Sequence, residues 1–262
     1  ADLPSAGVLL SFVSKINMTQ KFSPNDTVYI PSSLLPDGDN YPTSIYRTSV
    51  TQIKAKSVKV RLQDGSESDW IASSKPHGNL GIAIITIGDF STEETLLNPL
   101  AKSILQFSRL LLDDSSVTSI RVRSIGELGA WWGKNELAYS HIIFIGHGSP
   151  TDIFFAYGGA RTPSDFQRRV LSEKNSKKTF ISLCCETGKN SFSSAFSAIP
   201  ACGHLIAPFH SIHGAVASQF FQTYMCWHLL YGKTTKVAFN KAASTVPGTD
   251  IFRLWKDGVK VA

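Results

Sequence analysis

Cysteine and long hydrophobic runs are both scarce in this 262-residue chain. The four cysteines are too few for a disulfide scaffold, and the adjacent pair Cys184 and Cys185 is poorly placed to bond in regular backbone. No apolar run approaches membrane-spanning length, and no basic segment precedes the short apolar run at residues 7–13. We therefore predict a soluble, cytoplasmic protein with no membrane partner.

Charged side chains are few as well, at 18% of the chain against 42% hydrophobic residues. This balance excludes an intrinsically disordered chain. The net charge is +6, and residues 160–262 hold 13 basic and 5 acidic side chains. This excess is smaller than that of a protein that coats nucleic acid, so nucleic acid is expected to be at most an indirect partner.

The N-terminal part of the chain has short β-prone runs at residues 27–30, 44–51, 57–62 and 68–72. Asp64-Gly65 between the last two runs is a hairpin signal. This pattern resembles an SH3-like or Tudor-like barrel. We therefore predict that residues 1–78 form an N-terminal segment and a small β-barrel-like domain, and that residues 79–262 form a second domain.

The second domain alternates apolar strand patterns with amphipathic helix patterns. Strands are predicted at residues 81–87, 119–123, 141–145, 179–184 and 204–208, with helices between them and a long helix that ends at Gly232. This alternation predicts an α/β fold with a mainly parallel sheet flanked by helices.

Two of these strands end in residues that suit nucleophilic catalysis. His147 and Cys185 follow consecutive apolar strands, and the carboxyl ends of parallel strands meet at one edge of a sheet. An imidazole beside a thiol can take its proton and so activate it. Gly148 has no β-carbon, so its backbone N–H can approach an oxyanion, with the Cys185 N–H as a second donor.

The residues around this pair resemble the CHAT cysteine proteases of the caspase and separase clan. The resemblance is carried by His147-Gly148 after a strand and by Ile-Ser-Leu-Cys-Cys-Glu-Thr-Gly at residues 181–188. It covers about residues 81–243 and departs from the family at Cys184 and His210, where relatives carry a small residue and a tryptophan. It implies a caspase-like fold and a Cys–His dyad of Cys185 and His147 that hydrolyses a protein substrate without metal or cofactor. It also implies an activating sensor or partner protein and a role in prokaryotic defence or cell death.

Three other interpretations compete with a cysteine protease. The caspase fold could be an inactive adaptor that binds a protein or nucleic-acid partner through its basic C-terminal part. Cys184, Cys185, Cys202 and His204 could hold zinc, although adjacent ligands miss the usual spacings. Gly232-Lys233-Thr234 imitates the end of a phosphate-binding loop, but Trp227 stands where that loop requires glycine, which excludes it. Because the chain begins with Ala, it is interpreted as a processed product or part of a longer chain.

Overall fold

The structure is a computed structural model that describes residues 22–89, 94–171, 176–248 and 251–262. The short apolar run at residues 7–13 lies outside the described residues. None of the helices in these ranges is long and apolar enough to cross a membrane.

The N-terminal part is a curled antiparallel half-barrel, in agreement with the predicted small barrel. Its four strands pair in chain order: β1 (Thr27–Pro31), β2 (Ile45–Lys54), β3 (Ser57–Val60) and β4 (Ile71–Ala72). Val28, Ile30, Val50, Val58 and Val60 form its apolar core. At the predicted turn only Gly65 adopts a positive φ, of 86°, while the Asp64 carboxylate accepts hydrogen bonds from Ser66.

The half-barrel also contacts the rest of the chain. The Tyr29 hydroxyl lies 3.1 Å from the Ser116 hydroxyl, and the Ser44 amide donates to the Leu110 carbonyl at 3.1 Å. Tyr29 and Ile45 belong to the core beneath the large sheet. These contacts do not test whether residues 1–78 fold separately, so the domain division stays a prediction.

A seven-stranded, mainly parallel sheet forms the rest of the fold. Its strands are β5 (Ile82–Ile87), β6 (Val117–Val122), β7 (His141–Ile145), β10 (Lys178–Ser182), β11 (Cys202–Pro208), β12 (Phe252–Lys256) and β13 (Val259–Lys260). The spatial order is β13-β12-β11-β10-β7-β5-β6, with β12 and β13 antiparallel to their neighbours. The central strands β5 and β7 are fully buried apolar runs, as expected for a sheet covered on both faces.

Helices cover both faces of the large sheet, so its predicted fold class is confirmed. One face packs on α1 (Glu94–Leu111), α5 (Gly214–Met225) and α6 (Thr235–Thr245). The other packs on α2 (Ile125–Asn135), α3 (Pro163–Arg169) and α4 (Asn190–Ser197). A short hairpin of β8 (Ile153–Phe155) and β9 (Gly159–Arg161) follows β7, and a π-helical turn at Cys226–Leu230 extends α5.

Histidines cluster at the edge of the sheet where the parallel strands begin. The ring of His228 lies 5.4 Å from that of His141 and 6.4 Å from that of His77, measured between centroids. His141 is buried, and its Nε2 has no hydrogen-bond partner within the described chain. Burial, reinforced by the nearby His228 and His77, holds the pKa of His141 well below its usual value, and burial also lowers the pKa of His228.

This cluster predicts a loss of stability in mild acid. The unfolded chain binds protons below about pH 6.5, whereas His141 and His228 bind them only at lower pH in the folded chain. The stabilisation is therefore complete above that pH and declines as the pH falls, by at most about 1.4 kcal/mol per pH unit for each such histidine. Urea unfolding between pH 7.5 and pH 5 measures this slope.

The variants His141→Gln and His228→Gln should each flatten the slope, because one titrating group is removed from the unfolded chain. His210→Gln changes an exposed histidine and should leave the slope as it is. If the free energy of unfolding is constant across this range, or if all three variants keep the parent slope, the buried histidines do not control acid stability.

Candidate active site

The strand register brings His147 and Cys185 to the same place on the sheet edge. β7 and β10 pair from His141 with Thr179 to Phe144 with Ser182, a constant offset of 38 residues. The Leu183 amide continues this ladder by donating to the Phe144 carbonyl at 2.8 Å. The same offset separates His147 from Cys185, so the two residues follow their strands at equivalent positions.

Gly148 sets the close approach of the two loops. A β-carbon at this position would lie 2.6 Å from the Cys185 carbonyl oxygen, 2.8 Å from Thr187 Cγ2 and 3.0 Å from Cys184 Cβ. Such distances are shorter than carbon contacts allow, so only glycine fits here without a shift of one loop. The segment that carries His147 therefore touches the segment that carries Cys185.

Hydroxyl groups hold the loop after β10 in its shape. The Thr187 hydroxyl donates to the Cys184 carbonyl at 2.8 Å and lies 2.7 Å from the Ser182 hydroxyl. Ser193 of α4 donates to the Thr187 carbonyl at 2.5 Å. Glu186 has a φ of 62°, in the left-handed region that few non-glycine residues occupy. The strained turn directly after Cys185 is thus fixed by buried hydrogen bonds on both sides.

The two adjacent cysteines have different surroundings. Cys184 is fully buried in the apolar core on the α4 face, and burial raises the pKa of its thiol to about 12. Cys185 is a free cysteine that is partly exposed at the sheet edge. Cys184 is therefore neutral and inaccessible at ordinary pH, and of the two adjacent thiols only that of Cys185 is partly exposed.

Hydrogen bonds also hold the loop after β7. The Phe154 amide donates to the His147 carbonyl at 3.1 Å, and the Ser149 amide donates to the Asp152 carbonyl at 2.9 Å. These bonds flank the bridge between Gly148 and Ile153, and neither uses the Gly148 N–H. The Ser191 hydroxyl donates to the Pro150 carbonyl at 2.5 Å, which ties this loop to the start of α4.

An open groove of about 700 Å³ lies at the same edge of the sheet, between the first halves of α1 and α5. Ile143, Ile145, Ile181 and Leu183, on the segments that precede His147 and Cys185, face this side of the sheet. Leu100, Ile212 and Ser218 are among the residues that line the groove, and its described lining holds no acidic residue, lysine or arginine. Sequence patterns did not predict this groove, because it forms between two helices far apart in the chain.

The residues of the alternative zinc site are not brought together. Cys202 pairs with Lys178 at the beginning of the parallel strands, whereas Cys184 and Cys185 follow the end of β10. Among the residues that the structure describes, no group of three or more His, Cys, Asp or Glu side chains is arranged to hold a metal ion. Gly232, with a φ of 60°, follows the π-helical turn and not a strand, so Gly232-Lys233-Thr234 lacks the context of a phosphate loop.

Comparisons with known proteins add a similarity in structure. No protein-family model matches the sequence, and no curated protein matches it. Among solved structures, the chain is similar to a secreted C11 cysteine protease from Bacteroides thetaiotaomicron, crystallised with an irreversible peptide inhibitor. The TM-score is 0.49 at 7% sequence identity, over 68% of this chain and 66% of that one, just under two thirds of its length.

Proposed function

We propose that this protein is a cysteine endopeptidase in which Cys185 is the nucleophile and His147 the general base. The observation that carries the proposal is the shared offset of 38 residues in the β7 and β10 ladder, together with the contact of Gly148 with the Cys185 carbonyl. A partly exposed thiol and an imidazole at equivalent strand ends are the two groups that this chemistry needs.

In the proposed reaction, His147 takes the thiol proton of Cys185, and the sulfur attacks the carbonyl carbon of the scissile peptide bond. The Gly148 and Cys185 amides donate to the resulting oxyanion. The carbon–nitrogen bond then breaks, the amine leaves with the proton from His147, and a thioester remains on Cys185. Water, deprotonated by His147, hydrolyses the thioester and restores the thiol.

We infer that the chain belongs to the CHAT group of this clan, on the strength of the Cys-Glu-Thr-Gly block at residues 185–188. Its context is proposed to be prokaryotic defence or cell death, under the control of an activating partner protein. The loop that carries Cys185 is already held by hydrogen bonds within the chain. Such a partner would therefore act on other segments around the site or deliver the substrate.

A thiol-reactive peptide probe tests the proposal directly. We expect a library of peptidyl acyloxymethyl ketones to label Cys185, because a base beside the thiol increases its thiolate population. Labelling should fall strongly in His147→Ala and be unchanged in His204→Ala, which alters a half-buried histidine at the opposite end of the sheet. Mass spectrometry of the labelled peptide identifies the cysteine.

A label on Cys226 alone, or equal labelling of Cys185 in both histidine variants, would contradict the dyad. A folded chain that is not labelled at Cys185 would favour the non-catalytic adaptor instead.

A further inference from the structure

A second pocket lies on the other face of the sheet, beside the start of α4. It measures about 410 Å³ and is lined by Asn190, Phe209, Arg253, Trp255, Gly258, Val259 and Lys260. The pleat brings its polar groups together, because Arg253 and Trp255 are two residues apart on β12 and Lys260 of β13 pairs with Trp255. These three side chains therefore share the face that α4 covers.

The polar groups that line this pocket are mainly donors. The Trp255 side chain is 5% exposed, and its Nε1–H has no hydrogen-bond partner in the described parts of the chain. A buried donor without a partner is costly, which points to an acceptor that binds there. Arg253 and Lys260 add two positive charges, and no acidic side chain is among the described residues that line the pocket.

The helix end contributes further donors. α4 begins at Asn190, and its N-cap residue, Lys189, makes no capping hydrogen bond with its side chain in the described structure. The first amides of a helix have no partner within the helix and attract negative charge. The Lys189 ammonium lies 3.9 Å from the centroid of the Phe209 ring, at the border of the pocket.

The wall of the pocket is fixed to the same helix. Ser194 donates to the Gly258 carbonyl at 2.8 Å, and the Gly258 amide donates to the Ser197 hydroxyl at 3.2 Å. The nearby Asp257 carboxylate is directed to Lys177, at 3.8 Å. The backbone of the turn between β12 and β13 is therefore fixed against α4.

We propose that this pocket binds a carboxylate, namely the Asp or Glu side chain of an acidic peptide segment. Arg253 and Lys260 would bind the carboxylate oxygens together with the indole N–H of Trp255. The pocket is linked to the loop that carries Cys185, because Asn190 lies five residues after Cys185 and the Gly188 amide donates to the Pro208 carbonyl next to Phe209. In combination with the proposed function, on which this point rests, the acidic residue would belong to the substrate.

Peptide binding to the full chain with Cys185→Ala tests the pocket without any turnover. The probes are two libraries of N-acetylated, C-amidated octapeptides, identical except for glutamate or glutamine at one central position. We expect the glutamate library to bind at least about tenfold more tightly, because a charge-assisted pair is lost in the other library. Fluorescence anisotropy of labelled libraries gives the affinities.

Three variants assign the binding to this pocket. Arg253→Gln and Lys260→Gln should each reduce the preference for glutamate about tenfold, and Trp255→Phe, which keeps an aromatic ring but removes the donor, should reduce it severalfold. Lys256→Gln is the matched control, because Lys256 is exposed on the same strand but points to the opposite face. Lys260 is exposed on an edge strand, so its replacement leaves the core intact.

Equal affinity for the two libraries would overturn the proposal. An equal loss of the preference for glutamate in Lys256→Gln would also overturn it, because such a loss indicates general charge attraction. Inorganic phosphate that competes as well as the glutamate peptides would overturn it too. If the glutamate peptides bind but the parent chain cleaves no peptide, the proposal for the pocket is retained and only the proposed protease function is rejected.

Discussion

The variant Cys185→Ala is expected to lose peptide-bond hydrolysis by a factor on the order of 10⁴ or more, because it has no sulfur to form the thioester. Cys184→Ala is expected to retain most of the activity. The reason is the difference in burial: the Cys184 thiol is enclosed in the α4-side core with its pKa raised to about 12, so it neither ionises nor reaches a substrate. Turnover of a fluorogenic peptide library by the two purified variants measures the difference.

The variants Cys184→Ala and Cys185→Ala also distinguish a loss of catalysis from a loss of stability. Cys184→Ala removes a buried side chain and should cost about 1 kcal/mol in the free energy of unfolding, whereas Cys185→Ala, at a partly exposed site, should cost less. The expected pattern is therefore a stable inactive variant beside a slightly destabilised active one. An inactive Cys184→Ala beside an active Cys185→Ala would shift the nucleophile by one residue and refute the proposed site.

The candidate site was predictable from local patterns up to a point. Apolar runs followed by polar residues mark the ends of β7 and β10, and this is enough to place His147 and Cys185 at strand ends. The offset of 38 residues that makes them neighbours depends on which strands pair and in which register. Pairing is decided by packing across the whole sheet, so a local pattern cannot supply it.

The pocket at β12 and β13 was not predicted from the sequence. Asp257 and Gly258 both have positive φ, of 48° and 79°, and join Lys256 to its partner Val259 in a tight hairpin. Asp-Gly between two strand-like runs is a hairpin signal that the sequence contains. The same signal at Asp64-Gly65 predicts a turn in which only the glycine has a positive φ. Even a correct hairpin would not have placed Arg253 beside α4, because that contact joins distant segments.

Strand and helix boundaries were less predictable than the order of elements. The strand predicted at residues 179–184 ends at Ser182, because the buried Ser182 and Thr187 hydroxyls bond to each other and turn the chain. The helix that precedes β10 begins at Pro163 and ends at Arg169. Pro163 at its first position and the Thr162 capping box explain its start.

The variant His147→Ala is expected to lower the rate of hydrolysis by about 10²–10⁴-fold, the usual contribution of a general base, while the chain stays folded. The His147 side chain is only partly buried, and alanine retains the backbone carbonyl that accepts the hydrogen bond from the Phe154 amide. The free energy of unfolding should therefore change by no more than about 0.5 kcal/mol. Steady-state turnover and urea unfolding of the same preparation provide the two measurements.

Two further experiments test the role of His147: the addition of imidazole to the reaction and the comparison with His204→Ala. Imidazole added to the His147→Ala reaction should restore part of the rate, since the alanine leaves space for a diffusible base next to the thiol. The same addition should do nothing for Cys185→Ala, which has no thiol to deprotonate, and His204→Ala should retain the parent rate without it. A parent-like rate in His147→Ala would remove this residue from the reaction. A collapse of its unfolding transition would instead assign it to the structure, where the contact between Gly148 and the Cys185 carbonyl already shows how tightly the two loops are packed.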